Sequence, residues 1–116
     1  MTTLYGIRNC DTIRKARGWL DAHGVAYRFA DYKVEGADPL LLRGWVERLG
    51  WERLLNRAGT TFRKLPEEAR VSLDAERAVA LMADHPSMIR RPVLVDGETL
   101  LVGFDPAAYR RALLPA

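Results

Sequence analysis

The chain opens on a continuous run, Thr3-Leu4-Tyr5-Gly6-Ile7, of the kind a buried strand shows, after which Ile13, Ala16 and Leu20 recur at helical spacing as far as His23-Gly24. From Ala26 to Tyr32 the pattern changes to alternation, with Tyr27 and Phe29 on one face, predicting a second strand. A β-α-β unit this short favours parallel pairing through a right-handed crossover. Lys33 to Ala37, with Gly36 inside it, is expected to be a loop. Asp38-Pro39 supplies an N-cap and a first-turn proline, and Leu42, Trp45, Val46 and Leu49 then fall on one helical face that Gly50 terminates. Trp51 to Asn56 predicts a short helix, Arg57 to Thr61 a polar turn, and Phe62 to Leu65 an amphipathic link. Pro66 starts a further helical piece. Ser72 or Asp74 caps the next helix, whose face is Ala75, Ala78, Val79 and Met82 and whose end is set by His85-Pro86. Beyond Pro92, Val93-Leu94-Val95 and Thr99-Leu100-Leu101-Val102 flank Asp96-Gly97, a hairpin signal. Asp105-Pro106 then caps a last helix running through Leu113.

The predicted order is β-α-β, a helical insertion at about 38–86, then β-β-α, with no internal repeat or interdomain linker. This describes an α/β protein and a single domain over 1–116, since 116 residues suffice for one core and not for two. Apart from the insertion, the order resembles a thioredoxin-like fold. That resemblance implies a reactive cysteine in the loop after the first strand and a cis proline, facing it, at the start of the third; Cys10 and Pro92 occupy those places.

Composition narrows the functional classes. Hydrophobic residues make up 48% of the chain and charged ones 28%, the balance of a soluble globular protein. The net charge of +3 suggests nucleic acid, but the basic residues are dispersed along helices beside Glu and Asp and form no stripe with stacking aromatics, so no nucleic-acid partner is expected. No stretch reaches the length of a membrane span and no basic-then-apolar leader pattern is present, which makes the cytoplasm the expected location and a membrane partner unexpected. One cysteine and two distant histidines, His23 and His85, give no zinc-ligand spacing, so no bound metal or other cofactor is expected.

Cys10 carries the candidate chemistry. It lies where the first strand gives way to the first helix, and the unpartnered N–H groups of a helix start stabilise a thiolate, the nucleophilic form of cysteine. Arg8, Arg14 and Lys15 crowd the same turn and favour the anion, while Asp11 opposes them. Asn9, Asp11 and Thr12 form the cysteine loop, with Thr12 either a donor to sulfur or the helix N-cap. With no second cysteine, a mixed disulfide formed at Cys10 must be resolved by a thiol from outside the chain. Glutathione is the cytoplasmic source expected as co-substrate. Trp19, Trp45 and Trp51 fall at core spacing, and His85 closes a helix.

A specific resemblance joins these residues. Gly6-Ile7-Arg8-Asn9-Cys10-Asp11-Thr12, Lys15-Ala16, Trp19-Leu20, Gly50-Trp51, Leu54-Leu55-Asn56, Gly59-Thr60-Thr61-Phe62-Arg63-Lys64-Leu65, His85-Pro86, Arg91-Pro92 and Gly103-Phe104 together resemble the YffB branch of the ArsC family over nearly the whole chain. The resemblance implies a thioredoxin-like fold with a helical insertion and a superfamily link to the Spx regulators, which bind RNA polymerase. In arsenate reductases of this type a cysteine in the matching loop attacks arsenate, glutathione displaces the adduct, glutaredoxin resolves the mixed disulfide, and three arginines support the chemistry. Arg91 matches the arginine before the cis proline, which makes Cys10 and Arg91 the expected catalytic pair. The late arginine position falls on Gly103 or Phe104. The middle one has only Arg57 as a neighbour, displaced by one residue from Ala58.

For the YffB branch the resemblance implies a glutathione-dependent thiol-disulfide reductase, with glutaredoxin as a further partner and an unknown disulfide or oxyanion as substrate. The expected substrate and glutathione contacts are Arg8, Asn9, Asp11, Thr12, Lys15, Thr60, Thr61, Arg63 and Pro92. Arsenate reduction is one alternative. A non-enzymatic regulator bound to RNA polymerase is the other, although Ile13 stands where such regulators often carry the second cysteine of a Cys-x-x-Cys switch.

Overall fold

The computed structural model describes residues 1–115, so the last residue of the 1–116 span, Ala116, lies outside the described residues. In chain order the elements are β1 (Thr2–Gly6), α1 (Asp11–Ala22), β2 (Tyr27–Asp31), α2 (Tyr32–Glu35), α3 (Pro39–Leu49), α4 (Trp51–Leu54), α5 (Thr60–Arg63), α6 (Glu67–Arg70), α7 (Ala75–Asp84), a 3-10 turn (Pro86–Met88), β3 (Val93–Asp96), β4 (Thr99–Val102) and α8 (Pro106–Leu113). Contacts gather these into two compact units, one holding Met1–Glu35 with the segment from Arg91 onward, the other Gly36–Arg90. Among the described residues no helix is long and apolar enough to cross a membrane.

The first unit is built on a four-stranded sheet in the order β2-β1-β3-β4. β1 and β2 are parallel, Thr2 opposite Tyr27 and Gly6 opposite Asp31, as the short β-α-β unit requires. β3 runs antiparallel to β1, with Leu4 opposite Leu94 and Tyr5 opposite Val93, and the hairpin to β4 turns at Gly97, whose φ of 58° is a glycine conformation. Leu4, Ala16, Leu20, Leu94 and Tyr109 form the buried centre, so α1 lays the face anticipated from its spacing onto the sheet and α8 closes the same core through Tyr109. Trp19 and Phe104 meet the Tyr109 ring edge-on at 5.7 and 5.0 Å.

In the second unit Asp38 caps α3, its carboxylate accepting from Leu40 N at 2.9 Å, and Pro39 fills the first turn. Leu42, Trp45 and Val46 are buried where α3 packs on α7. Gly50 ends α3 at a φ of 87° while its N–H donates to Val46 O at 2.8 Å. Leu55 bridges Ile89, and flanking bonds from Asn56 N to Met88 O and from Arg90 N to Leu54 O fix that short pairing.

Three local expectations change. The predicted loop at Lys33 begins instead with α2, because the Asp31 carboxylate accepts from Lys33 N at 2.9 Å and supplies the turn with an acceptor before Gly36 ends it. The polar turn and amphipathic link after Asn56 contain the one-turn helix α5, folded over buried Phe62. Of the two cap candidates for α7, Asp74 holds the position, its carboxylate accepting from Arg77 N at 2.9 Å; Ser72 instead adopts a left-handed φ of 55°. Ala75, placed on the apolar face by its spacing, is exposed at the helix start.

One close approach fixes α1 on the end of β1. A Cβ built on Gly6 would lie 2.2 Å from Ile13 Cδ1 and 3.0 Å from Ile13 Cγ1, and Ile13 is itself buried. Gly6→Ala is therefore expected to lower unfolding stability by roughly 1–3 kcal/mol, as overpacking does. A urea titration showing an unchanged midpoint would contradict this packing.

Candidate active site

The site grows from the end of β1. Ile7 is buried, and Asn9 takes a left-handed φ of 69°, a conformation its short polar side chain tolerates better than most, which turns the chain into α1. Cys10 follows in extended backbone (φ −95°, ψ 135°) as the N-cap residue of α1, and its carbonyl accepts from Arg14 N at 2.9 Å. The cap position thus belongs to Cys10, and Thr12 sits inside the first turn. The sulfur lies toward the N–H groups of Ile13 and Thr12, loosely enough that no capping hydrogen bond of strict geometry forms.

From the start of β3, the strand next to β1, comes Arg91. The Arg91–Pro92 bond is cis, and Pro92 O accepts from Gly103 N at 2.9 Å, which ties the start of β3 to the end of β4. The Arg91 guanidinium donates a hydrogen bond to Cys10. Burial opposes charge on the thiol, yet the Ile13 N–H, the Arg91 hydrogen bond, the Thr12 N–H and the positive charge of Arg91 together hold the Cys10 pKa below the ordinary thiol range. Cys10 remains half-buried, accessible to a small reagent.

Directly after β2 stands Tyr32, the first residue of α2. Its ring stacks on Tyr5 with centroids 6.2 Å apart, it is 3% exposed, and burial pushes its phenol far above the ordinary range. Tyr5 adds to that rise, and Arg91 opposes it.

The other expected residues divide by unit. Arg8 is exposed, with Nε 3.9 Å from the buried Asp31 carboxylate, and Asn9 and Lys15 are exposed. Asp11 pairs with Arg14 across the first turn of α1. Of the cations expected to favour the thiolate, Arg91 is the one bonded to it, while Arg8 points its charge at Asp31 and Arg14 is held by Asp11. Thr60, Thr61 and Arg63 belong to α5 in the second unit. There Thr60 and Arg63 are exposed, and the Thr61 hydroxyl accepts from Ser87 Oγ at 3.2 Å. In the same unit the Arg57 guanidinium lies 5.2 Å from the Trp51 ring centroid, and Ala58 N donates to the Asn56 side chain at 3.1 Å. His85 is the C-cap of α7, as its place before Pro86 implied. Asp31 and Tyr32 escaped the sequence reading because nothing in a strand-to-helix junction marks the one as a partner of Arg8 or the other as stacked on Tyr5.

With this geometry the family model described as the ArsC family matches residues 5–112. The chain belongs to the ArsC family. Among solved structures, the YffB (PA3664) protein is 56% identical, with 97% of this chain and 99% of that one covered and a TM-score of 0.95. An arsenate reductase (ArsC) related protein from Brucella melitensis is 53% identical over 98% of this chain and 95% of its own, with a TM-score of 0.76. The global transcriptional regulator Spx of Listeria innocua is 32% identical over 97% of this chain and 87% of the regulator. The thioredoxin-like ArsC fold anticipated from the element order is the fold observed, with a cis proline at the start of β3.

If Arg91 carries the thiolate, Arg91→Ala raises the midpoint of the Cys10 titration by about one pH unit, the usual effect of losing an adjacent opposite charge. Ultraviolet thiolate absorbance followed against pH, with Cys10→Ser as the blank, reads it. The linked stability has a definite sign. A thiol whose folded pKa is depressed contributes most above its unfolded value, near 8.5, and that contribution disappears as pH falls through the folded value. The stability difference between the wild type and Cys10→Ser should therefore shrink on acidification, and a difference that grows would contradict the arrangement.

Proposed function

We propose that this ArsC-family protein is a glutathione-dependent thiol-disulfide reductase in which Cys10 is the nucleophile. One observation carries the reading: a thiol favoured as the anion at a helix start, hydrogen-bonded by Arg91, in a chain with no other cysteine. The Cys10 thiolate attacks one sulfur of a substrate disulfide, forming a mixed disulfide and breaking the substrate bond, and the departing thiolate takes a proton from solvent. Glutathione thiolate then attacks the mixed disulfide, bonds to the substrate sulfur and releases Cys10 as the thiolate. The low pKa serves both steps, because it keeps Cys10 ionised for attack and makes it a good leaving group. Arg91 stabilises the anion before attack and after release. Arg8 and Lys15, both exposed, offer charges to the glutathione carboxylates, exposed Asp11 offers its own to the glutathione ammonium, Asn9 and Thr12 are assigned to the same surface, and buried Pro92 is assigned to the contact through its backbone. Glutaredoxin is a further candidate for resolving the mixed disulfide. The cytoplasm is the compartment that supplies glutathione.

Arsenate reduction ranks second, supported by the likeness to the arsenate reductase related protein of Brucella melitensis. Against it stands the late arginine position. Gly103 or Phe104 falls at that place, Gly103 tied through its N–H to Pro92 in the same unit as Cys10 and Arg91, and neither offers a cation. Tetrahedral oxyanions are held by several converging charge-assisted donors, and losing one such donor costs about 10²–10³ in rate. A non-enzymatic regulator bound to RNA polymerase is the reading suggested by the identity with Spx.

Exposure to glutathione disulfide should give a single adduct by mass, on Cys10, absent in Cys10→Ser and removed by reduced glutathione. Arsenate turnover with glutathione and glutaredoxin supplied should be at least about a hundredfold weaker than an enzyme with a complete arginine set would show. Robust arsenate turnover lost in Cys10→Ser would reverse this ranking. Neither activity, with tight binding to RNA polymerase, would favour the regulator.

A further inference from the structure

The Tyr32 hydroxyl is an anomaly that the chemistry above leaves unused. It is buried, and it has no hydrogen-bond partner among the described residues. Phenylalanine would fill the same space without stranding a polar group, so a hydroxyl kept here asks for an electrostatic reason. The groups around it supply one. The ring is clamped by its stack on Tyr5, and Tyr5 is opposite Val93 in the β1–β3 register, two residues beyond Arg91. Asp31 is opposite Gly6 and Val93 opposite Tyr5, so Tyr32 and Arg91 flank the chain on either side just past the C-terminal end of β1, where the Arg91 guanidinium reaches Cys10.

We propose that Tyr32 is a positioning residue for the active site: its buried hydroxyl, fixed by the Tyr5 stack, is a dipole beside Arg91 that holds the guanidinium toward the Cys10 sulfur. The proposal rests on the reading of Cys10 as a thiolate nucleophile supported by Arg91. A neutral dipole in a site sheltered from water acts more strongly than it would at the surface, and the phenol cannot ionise near neutral pH, so it presents its oxygen to the cation without competing as an anion. The Tyr32 hydroxyl touches neither thiol nor substrate in this scheme; it acts through Arg91.

The test is a double-mutant cycle read on the Cys10 titration. Tyr32→Phe keeps the ring and its stack, and is expected to raise the Cys10 midpoint by roughly half a pH unit, a coupling of the size found between residues of one network. Below the midpoint that corresponds to about a threefold loss of thiolate and of the rate of adduct formation. In the Arg91→Ala background the same substitution should move the midpoint little. Tyr109→Phe is the control, because it removes the other buried tyrosine hydroxyl that lacks a partner, and it should leave the titration unchanged. A purely structural Tyr32 would alter the urea midpoint and leave the Cys10 titration where it was, which would overturn the proposal. So would a shift that survives in full without Arg91, or a downward shift, which would mean that the hydroxyl competes with the sulfur for the guanidinium. A Cys10 that titrates like free cysteine in the wild type would instead sink the underlying reading.

Discussion

The hydrogen bond from Arg91 to the Cys10 sulfur joins segments that lie eighty residues apart, and the sheet exists in the form needed to make it. Tyr5 pairs with Val93, so the residues just before β3 lie beyond the C-terminal end of β1, where the chain turns through Asn9 to Cys10. A one-residue slip in that antiparallel register would reverse the face of every β3 side chain, and the core leucines Leu4 and Leu94 forbid it because both are fully buried. Core packing thus sets the register, and the register brings the guanidinium to the thiol. Gly6 completes the arrangement from the other direction by letting Ile13, whose N–H faces the sulfur, settle against the end of β1.

Burial works against the thiolate, and the arrangement answers it with donors rather than with bulk charge. Two backbone N–H groups of α1 and one guanidinium face the sulfur, each directional and each fixed by an element of the first unit. The exposed cations of the same turn are engaged elsewhere, Arg14 with Asp11 and Arg8 with Asp31, where they balance local charge. Such exposed pairs are worth little on their own. Activation by a few directional, partly buried donors is less sensitive to salt than a cloud of surface arginines would be.

Helix spacing, caps and turn signals disclosed most of this architecture. The α1 face of Ile13, Ala16 and Leu20, the β3–β4 hairpin and the Asp38 and Asp105 caps appear where their chemistry put them. The place of Cys10 at the start of α1 was legible from the sequence pattern, and the cis Arg91–Pro92 bond from the fold resemblance. Short helices were less legible, since α2 and α5 span only one turn and depend on local acceptors such as Asp31 rather than on periodicity. Arg91 was expected from the family resemblance, whereas Arg8 and Arg14, expected to help from their place in the same turn, turn toward Asp31 and Asp11, because proximity in sequence carries no information on where a long side chain points. Tyr32 was invisible for the complementary reason: only the register that brings β1, β2 and β3 together makes it a neighbour of Arg91.

The central claim is that Cys10 is an activated thiolate whose reaction with disulfides is driven by these donors. The most direct measurement is the rate of Cys10 reaction with excess glutathione disulfide as a function of pH. The account predicts a rate that stays nearly level as pH falls below about 8.5, the free-cysteine value, and declines only through the lower folded pKa. A rate that falls tenfold for each pH unit from about 8.5 downward, as an unassisted thiol gives, would contradict it.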